Sequence, residues 1–139
     1  MRLRKCAGGV VFFEDKVLLL QNDKGDWLLP KGVIREGKHA HEVALERVKH
    51  EAGVDANIMA PAGETRYEFF SQSRRIPVSN MIDWFIMKVE EDSFEVNAAD
   101  GFVSGGFYEI DEALKKITYS SDKSLVSLSY DKYMTLRNG

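Results

Sequence analysis

Residues 32–54 read GVIREGKHAHEVALERVKHEAGV. Across residues 39–52 the apolar positions recur with helical spacing, which predicts an amphipathic helix. At about 100° per residue, Ala44, Leu45, Val48 and Ala52 share one face fit to pack on a sheet. Arg47, His50 and Glu51 fall on the adjacent face. Gly53 follows where a left-handed C-cap is expected. On the other side, Pro30 ends a short apolar run and Gly32 opens a loop leading into the helix.

Working outward, residues 10–13 and 17–20 are apolar runs joined by Glu14, Asp15 and Lys16, which reads as a hairpin. Gly8 and Gly9 in the first strand point to a bulge or a close backbone approach. Residues 27–29 give a third short strand. Residues 66–70 and 82–89 flank the polar run Ser71-Gln72-Ser73-Arg74-Arg75 as a long hairpin. Residues 90–104 are acidic and turn-rich and are expected to be loop. A last strand at 106–108 precedes helices at 110–117 and 122–136. Trp27 and Trp84 are expected in the core. This order predicts an α/β chain, a mixed sheet covered by helices in an α/β/α sandwich.

The 139 residues fit one domain over 1–139 with a sizeable core. A net charge of −3 argues against a general nucleic-acid binder and leaves room for a small ligand met by local basic residues. The lone Cys6 cannot form an internal disulfide, which fits a reducing compartment. The basic, then apolar, start runs into Glu14-Asp15-Lys16 without a cleavage site, so it reads as a strand rather than a signal peptide. No stretch approaches the roughly 20 apolar residues of a membrane span. The cytoplasm is the expected location. Nothing in the sequence sets the oligomeric state, and a homodimer is allowed.

The frame of residues 32–54 resembles the box of Nudix hydrolases, G-x5-E-x7-R-E-U-x-E-E-x-G-U, where U is a bulky aliphatic. Gly32, Val48, Glu51, Gly53 and Val54 fit it, whereas Lys38, Glu46, Arg47 and His50 stand at its remaining, charged positions. Beyond the box, three pieces resemble the branch that holds diadenosine-tetraphosphate hydrolases. They are Ala7-Gly8-Gly9-Val10-Val11, Trp27-Leu28-Leu29-Pro30-Lys31-Gly32, and Phe107-Tyr108-Glu109 ahead of Ala113-Leu114. The likeness thus spans almost the whole chain. It implies the Nudix fold, hydrolysis of a nucleoside diphosphate linkage, magnesium or manganese as cofactor, and glutamates at positions 47, 50 and 51 facing the metal.

The residues present change that chemistry. Arg47 cannot ligate a cation, and one carboxylate with an imidazole is a poor magnesium site. Glu51 is the acid that stays in place, hence the catalytic candidate. His50 and Glu51 are the candidate metal ligands, better suited to zinc or manganese. Lys38 and Glu46 stand where the family pairs a glutamate with an arginine, so the exchange would preserve an ion pair with reversed polarity. Glu36, Glu42 and Glu109 are further acids, and none restores the cluster alone. The resemblance turns Lys31, beside Gly32, toward the phosphates. Arg47 adds positive charge there, and Arg74 and Arg75 could meet an anion. Tyr67 and Phe69 alternate on one strand and could flank a base, although the same alternation suits a half-buried strand. Three readings follow. The first is a protein that binds a nucleoside polyphosphate or related phosphorylated ligand, with magnesium-dependent pyrophosphohydrolase activity impaired or lost. The others are a hydrolase with an atypical metal site and a protein-interaction domain that keeps only the scaffold.

Overall fold

The computed structural model describes residues 2–138. Side-chain alternation along three central strands divides the core in two. On β1 (Arg2–Phe13), Cys6, Val10 and Phe12 face one side and Ala7 and Val11 the other. β2 (Lys16–Asn22) does the same with Val17 and Leu19 against Leu18 and Leu20, and β6 (Ile76–Lys88) with Trp84 and Ile86 against Met87. The first face is covered by α2 (Ile110–Lys116) and α3 (Ser120–Asn138), through Ala113, Leu125, Val126 and Tyr133. There Phe12 stacks on Tyr133 with ring centroids 4.3 Å apart. The second face is covered by α1 (Ala40–Ala52), through Val43, Ala44, Val48 and Ala52. A period of two on the strands and 3.6 on the helices thus produces the expected α/β/α sandwich.

Among the described residues, seven strands form one mixed sheet. Its path runs from β3 (Trp27–Leu28) through β2, β1 and β6 to β5 (Asn57–Ser71). β1 and β6 are parallel, and their register places Arg4 beside Asn80 and Cys6 beside Ile82. The hairpin expected at residues 10–20 forms, with Phe12 opposite Val17. The close approach expected at the glycine pair is also found. A Cβ added at Gly9 would come within 2.9 Å of both Val48 on α1 and Met87 on β6. The bare backbone lets the helix settle on the sheet.

Several local expectations need correction. Gly32 does not open a loop but lies within β4 (Lys31–Val33), antiparallel to β1 with Ala7 opposite Gly32 and Gly8 opposite Lys31. Three residues carry little strand propensity of their own, so this strand exists because β1 offers it partners. The long hairpin is longer than its composition suggests, because β5 begins at Asn57. Pro61 and Gly63 obscure that beginning, and the β5–β6 register shifts beside them. The acidic stretch after β6 holds a 3-10 turn at Ala98–Asp100 and the start of β7 (Phe102–Glu109), which pairs with β2. Trp84 is buried as expected, but Trp27 at the sheet margin is only partly so. Among the described residues no helix is long and apolar enough to cross a membrane.

Candidate functional site

Strand β4 carries Lys31 and Gly32 to the side of α1. Packing there is tight: a Cβ at Gly32 would lie 2.5 Å from Arg47 Cδ. The Arg47 side chain passes directly over this glycine, and its guanidinium reaches Glu51 one turn along the helix. Nη2 donates to Glu51 Oε2 at 2.6 Å and Nε to the same oxygen at 3.0 Å. Glu51 is only 4% exposed. Burial pushes its carboxyl above the usual carboxylate range. The Arg47 hydrogen bonds and charge, the Lys31 charge and the Lys31 backbone N–H pull the other way.

The segment after β6 completes this face. Its backbone caps the C-terminal end of α1, with Glu95 N donating to Ala52 O and Asn97 N to Glu51 O. The Asn97 side chain adds a bond to His50 O at 3.1 Å. Helix carbonyls that would otherwise be orphaned are thereby satisfied. Docked this way, the segment delivers Asp100, whose Oδ2 lies 2.8 Å from His50 Nε2 and 3.4 Å from Arg47 Nη2. Glu51, Arg47, Asp100 and His50 form one chain of alternating acid and base.

This donor set does not fit a magnesium ion. Magnesium requires octahedral oxygen ligands at about 2.0–2.1 Å. Here Glu51 Oε2 is taken by a guanidinium, and His50 Nε2 lies 2.8 Å from Asp100 Oδ2. Among the described residues no group of three or more His, Cys, Asp or Glu side chains is arranged to hold a metal ion.

A cleft of about 490 Å³ opens beside this face, between β5, β3 and the start of α3. Lys31, Tyr67, Phe69, Tyr119 and Asp122 line it. It adjoins a recess of about 180 Å³ lined by Arg4, Lys31, Gly32, Glu51, Tyr67 and Asn80. Lys31 and Tyr67 belong to both, so they mark the junction between the aromatic cleft and the Arg47–Glu51 pair. Burial raises the Asp122 carboxyl, offset by the charge of Lys31. Tyr119 reaches Asp26 across the mouth at 3.4 Å.

Of the sequence-derived candidates, Lys31, Gly32, Arg47, Glu51 and Tyr67 are brought together, with Phe69 on the cleft wall. His50 lies on the exposed rim with Asp100. Arg74 and Arg75 are not brought to the cleft; they sit in the exposed turn between β5 and β6, Arg75 with φ of 57°. The exchanged pair forms, with Lys38 Nζ 3.1 Å from Glu46 Oε1. Arg4, Asn80 and Asp100 were not singled out by sequence. Each reaches the site from a distant strand or turn, and no local pattern marks them.

A solved C. elegans Ap4A hydrolase in binary complex superposes with a TM-score of 0.74 at 20% identity, over 95% of this chain and 98% of that one. An E. coli dihydroneopterin triphosphate pyrophosphohydrolase superposes with a TM-score of 0.73 at 18% identity, over 91% and 95%. These likenesses establish the fold. A Mycobacterium tuberculosis protein called MutT4 is 36% identical over 50 residues, which are 36% of this chain; the match spans one fifth, 20%, of that relative's length. The family model described as the NUDIX domain matches residues 2–128. With its mixed curled sheet, its sandwich of helices and this match over most of its length, the chain belongs to the NUDIX domain family.

Proposed function

We propose that this protein binds a nucleoside polyphosphate or a related phosphorylated ligand, and that its magnesium-dependent pyrophosphohydrolase activity is impaired or lost. One observation carries the reading: the Arg47 guanidinium lies on Glu51 at 2.6 Å, on the helix face where the family resemblance puts metal-binding glutamates. A guanidinium is permanently charged and offers five N–H donors, so it can meet phosphate oxygens directly. Lys31 supplies a second cation at the junction of cleft and recess. Tyr67 and Phe69 give an aromatic wall against which a base can stack. Gly32 keeps the backbone bare where the phosphates approach. Arg75 has no part in this arrangement. The names of the two structural neighbours, an Ap4A hydrolase and a triphosphate pyrophosphohydrolase, support a ligand with a polyphosphate chain.

The test is calorimetric titration with ADP, ATP and a dinucleoside polyphosphate, in magnesium and then in EDTA. Binding should persist in EDTA. Arg47→Ala should weaken it by about ten- to a hundredfold, the worth of hydrogen bonds to a charged group. Turnover of order 1–10³ per second with magnesium would overturn the proposal. Turnover only with manganese or zinc would favour a hydrolase with an atypical site around His50, whose Nε2 lies 2.8 Å from Asp100. A protein that binds none of these ligands would leave the scaffold reading.

A further inference from the structure

Arg4, Asn80 and Tyr67 stand on β1, β6 and β5 as direct cross-strand partners in a single row. Asn80 is 1% exposed, so its amide must find partners within the protein. Arg4 Nε donates to Asn80 Oδ1 at 2.8 Å, and Asn80 Nδ2 donates to the Tyr67 hydroxyl at 2.6 Å. Arginine has donors and no acceptor, which fixes the direction of the row. Turning the amide over would set an N–H against an N–H. The Tyr67 oxygen is therefore an acceptor on its inner side, and its hydrogen must point away from Asn80. Among the described residues that hydrogen has no acceptor, and the side chain is 43% exposed. Tyr67 lines the recess it shares with Arg4, Lys31 and Glu51, where two cations stand against one carboxylate already held by Arg47, so an anionic oxygen can be met there. Arg4 also lies over the Phe69 ring at 5.4 Å, so one residue steadies both aromatic side chains.

We infer that Arg4 and Asn80 are positioning residues that commit the Tyr67 hydroxyl to donate a hydrogen bond to a phosphoryl oxygen of the bound ligand. This rests on the phosphorylated-ligand reading above and adds the direction of one contact. Pyrophosphate and ADP are the probes, titrated calorimetrically into wild type, Y67F, N80D and the double variant. Y67F should weaken both by about tenfold or more. An aspartate at 80 only accepts, so in N80D it takes the Arg4 N–H on one oxygen and the Tyr67 O–H on the other. The hydroxyl then turns inward and is lost to the ligand. N80D should therefore cost about as much as Y67F, and most of that cost should vanish in the Y67F background. Simple repulsion by the new carboxylate would persist there, so fully additive costs would overturn the inference. Wild-type binding that survives Y67F unchanged would overturn it alone. A wild type that binds neither probe would overturn it together with the phosphorylated-ligand reading. The Asn80 side-chain amide NMR signal checks the row without ligand: it should move in Y67F, and its indifference would also overturn the inference.

Discussion

Arg47 answers to two carboxylates, Glu51 four residues on and Asp100 across the fold, while its aliphatic stem crosses Gly32. Gly32→Ala puts a methyl where that stem runs. The stem is flexible, so the guanidinium should move aside and the backbone stay. We expect a stability loss of about 1 kcal/mol, at the low end for an inserted methyl. Phosphorylated-ligand binding should weaken in the same direction as in Arg47→Ala, read by thermal melting and calorimetry. Glu51 gives a pH prediction. Burial raises its carboxyl above the ordinary value, so the folded chain holds that proton more firmly than the unfolded chain. Its stabilising contribution is full below the unfolded carboxylate range, about pH 4, and is lost as pH rises through the higher folded value. Glu51→Gln mimics the protonated side chain. The variant should melt at or above the wild-type temperature at pH 7, with the difference shrinking toward pH 4. A large loss at pH 7 that disappears on acidification would mean the ion pair outweighs the burial.

At the level of elements, α1 was legible in the sequence and most of what surrounds it was not. Its apolar face, its extent from about residue 39 and its stop at Gly53 are local signals, and the structure has them, with His39 as the N-cap. Gly53 adopts φ of 69°, which a side chain resists, and an added Cβ would lie 3.3 Å from Glu95 O. Gly53→Ala should therefore cost about 1 kcal/mol or more in denaturant unfolding. The Lys38–Glu46 pair was readable as a charge exchange, because the two positions are coupled in the family frame. Both side chains are about half exposed, 46% and 57%, so the pair contributes little. A double-mutant cycle with Lys38→Ala and Glu46→Ala should give a coupling of about 0.2–1 kcal/mol, and the full exchange, Lys38→Glu with Glu46→Lys, should be close to neutral. Strand β4, Asp100 and the row Arg4–Asn80–Tyr67 had no such signal. β4 is a strand only because β1 is beside it, and Asp100 reaches α1 only because its segment caps that helix. Hydrophobic periodicity reports which face is buried; it carries no record of which distant polar residue arrives there.

On the proposed reading, the fold and a metal site draw on different residues of the molecule. The glycines and aliphatic residues of the 32–54 stretch set the approach of α1, the close crossing at Gly32 and the helix stop, and these are kept. The polar residues of that stretch set the charge, and there Arg47 meets both Glu51 and Asp100 while His50 meets Asp100. A fixed cation costs a divalent ion dearly. Two unit charges about 4 Å apart interact by roughly 4 kcal/mol at an effective dielectric near 20, and a divalent ion doubles that. Exchanging Arg47 and His50 for glutamates would remove the repulsion and add two anionic oxygen donors. The most direct measurement is calorimetric titration of magnesium and manganese into the wild type and into the double variant R47E/H50E. We predict at least a tenfold gain in affinity for the double variant over the wild type. A wild type that binds either ion as tightly as R47E/H50E would contradict the assignment of Arg47 to the metal's place.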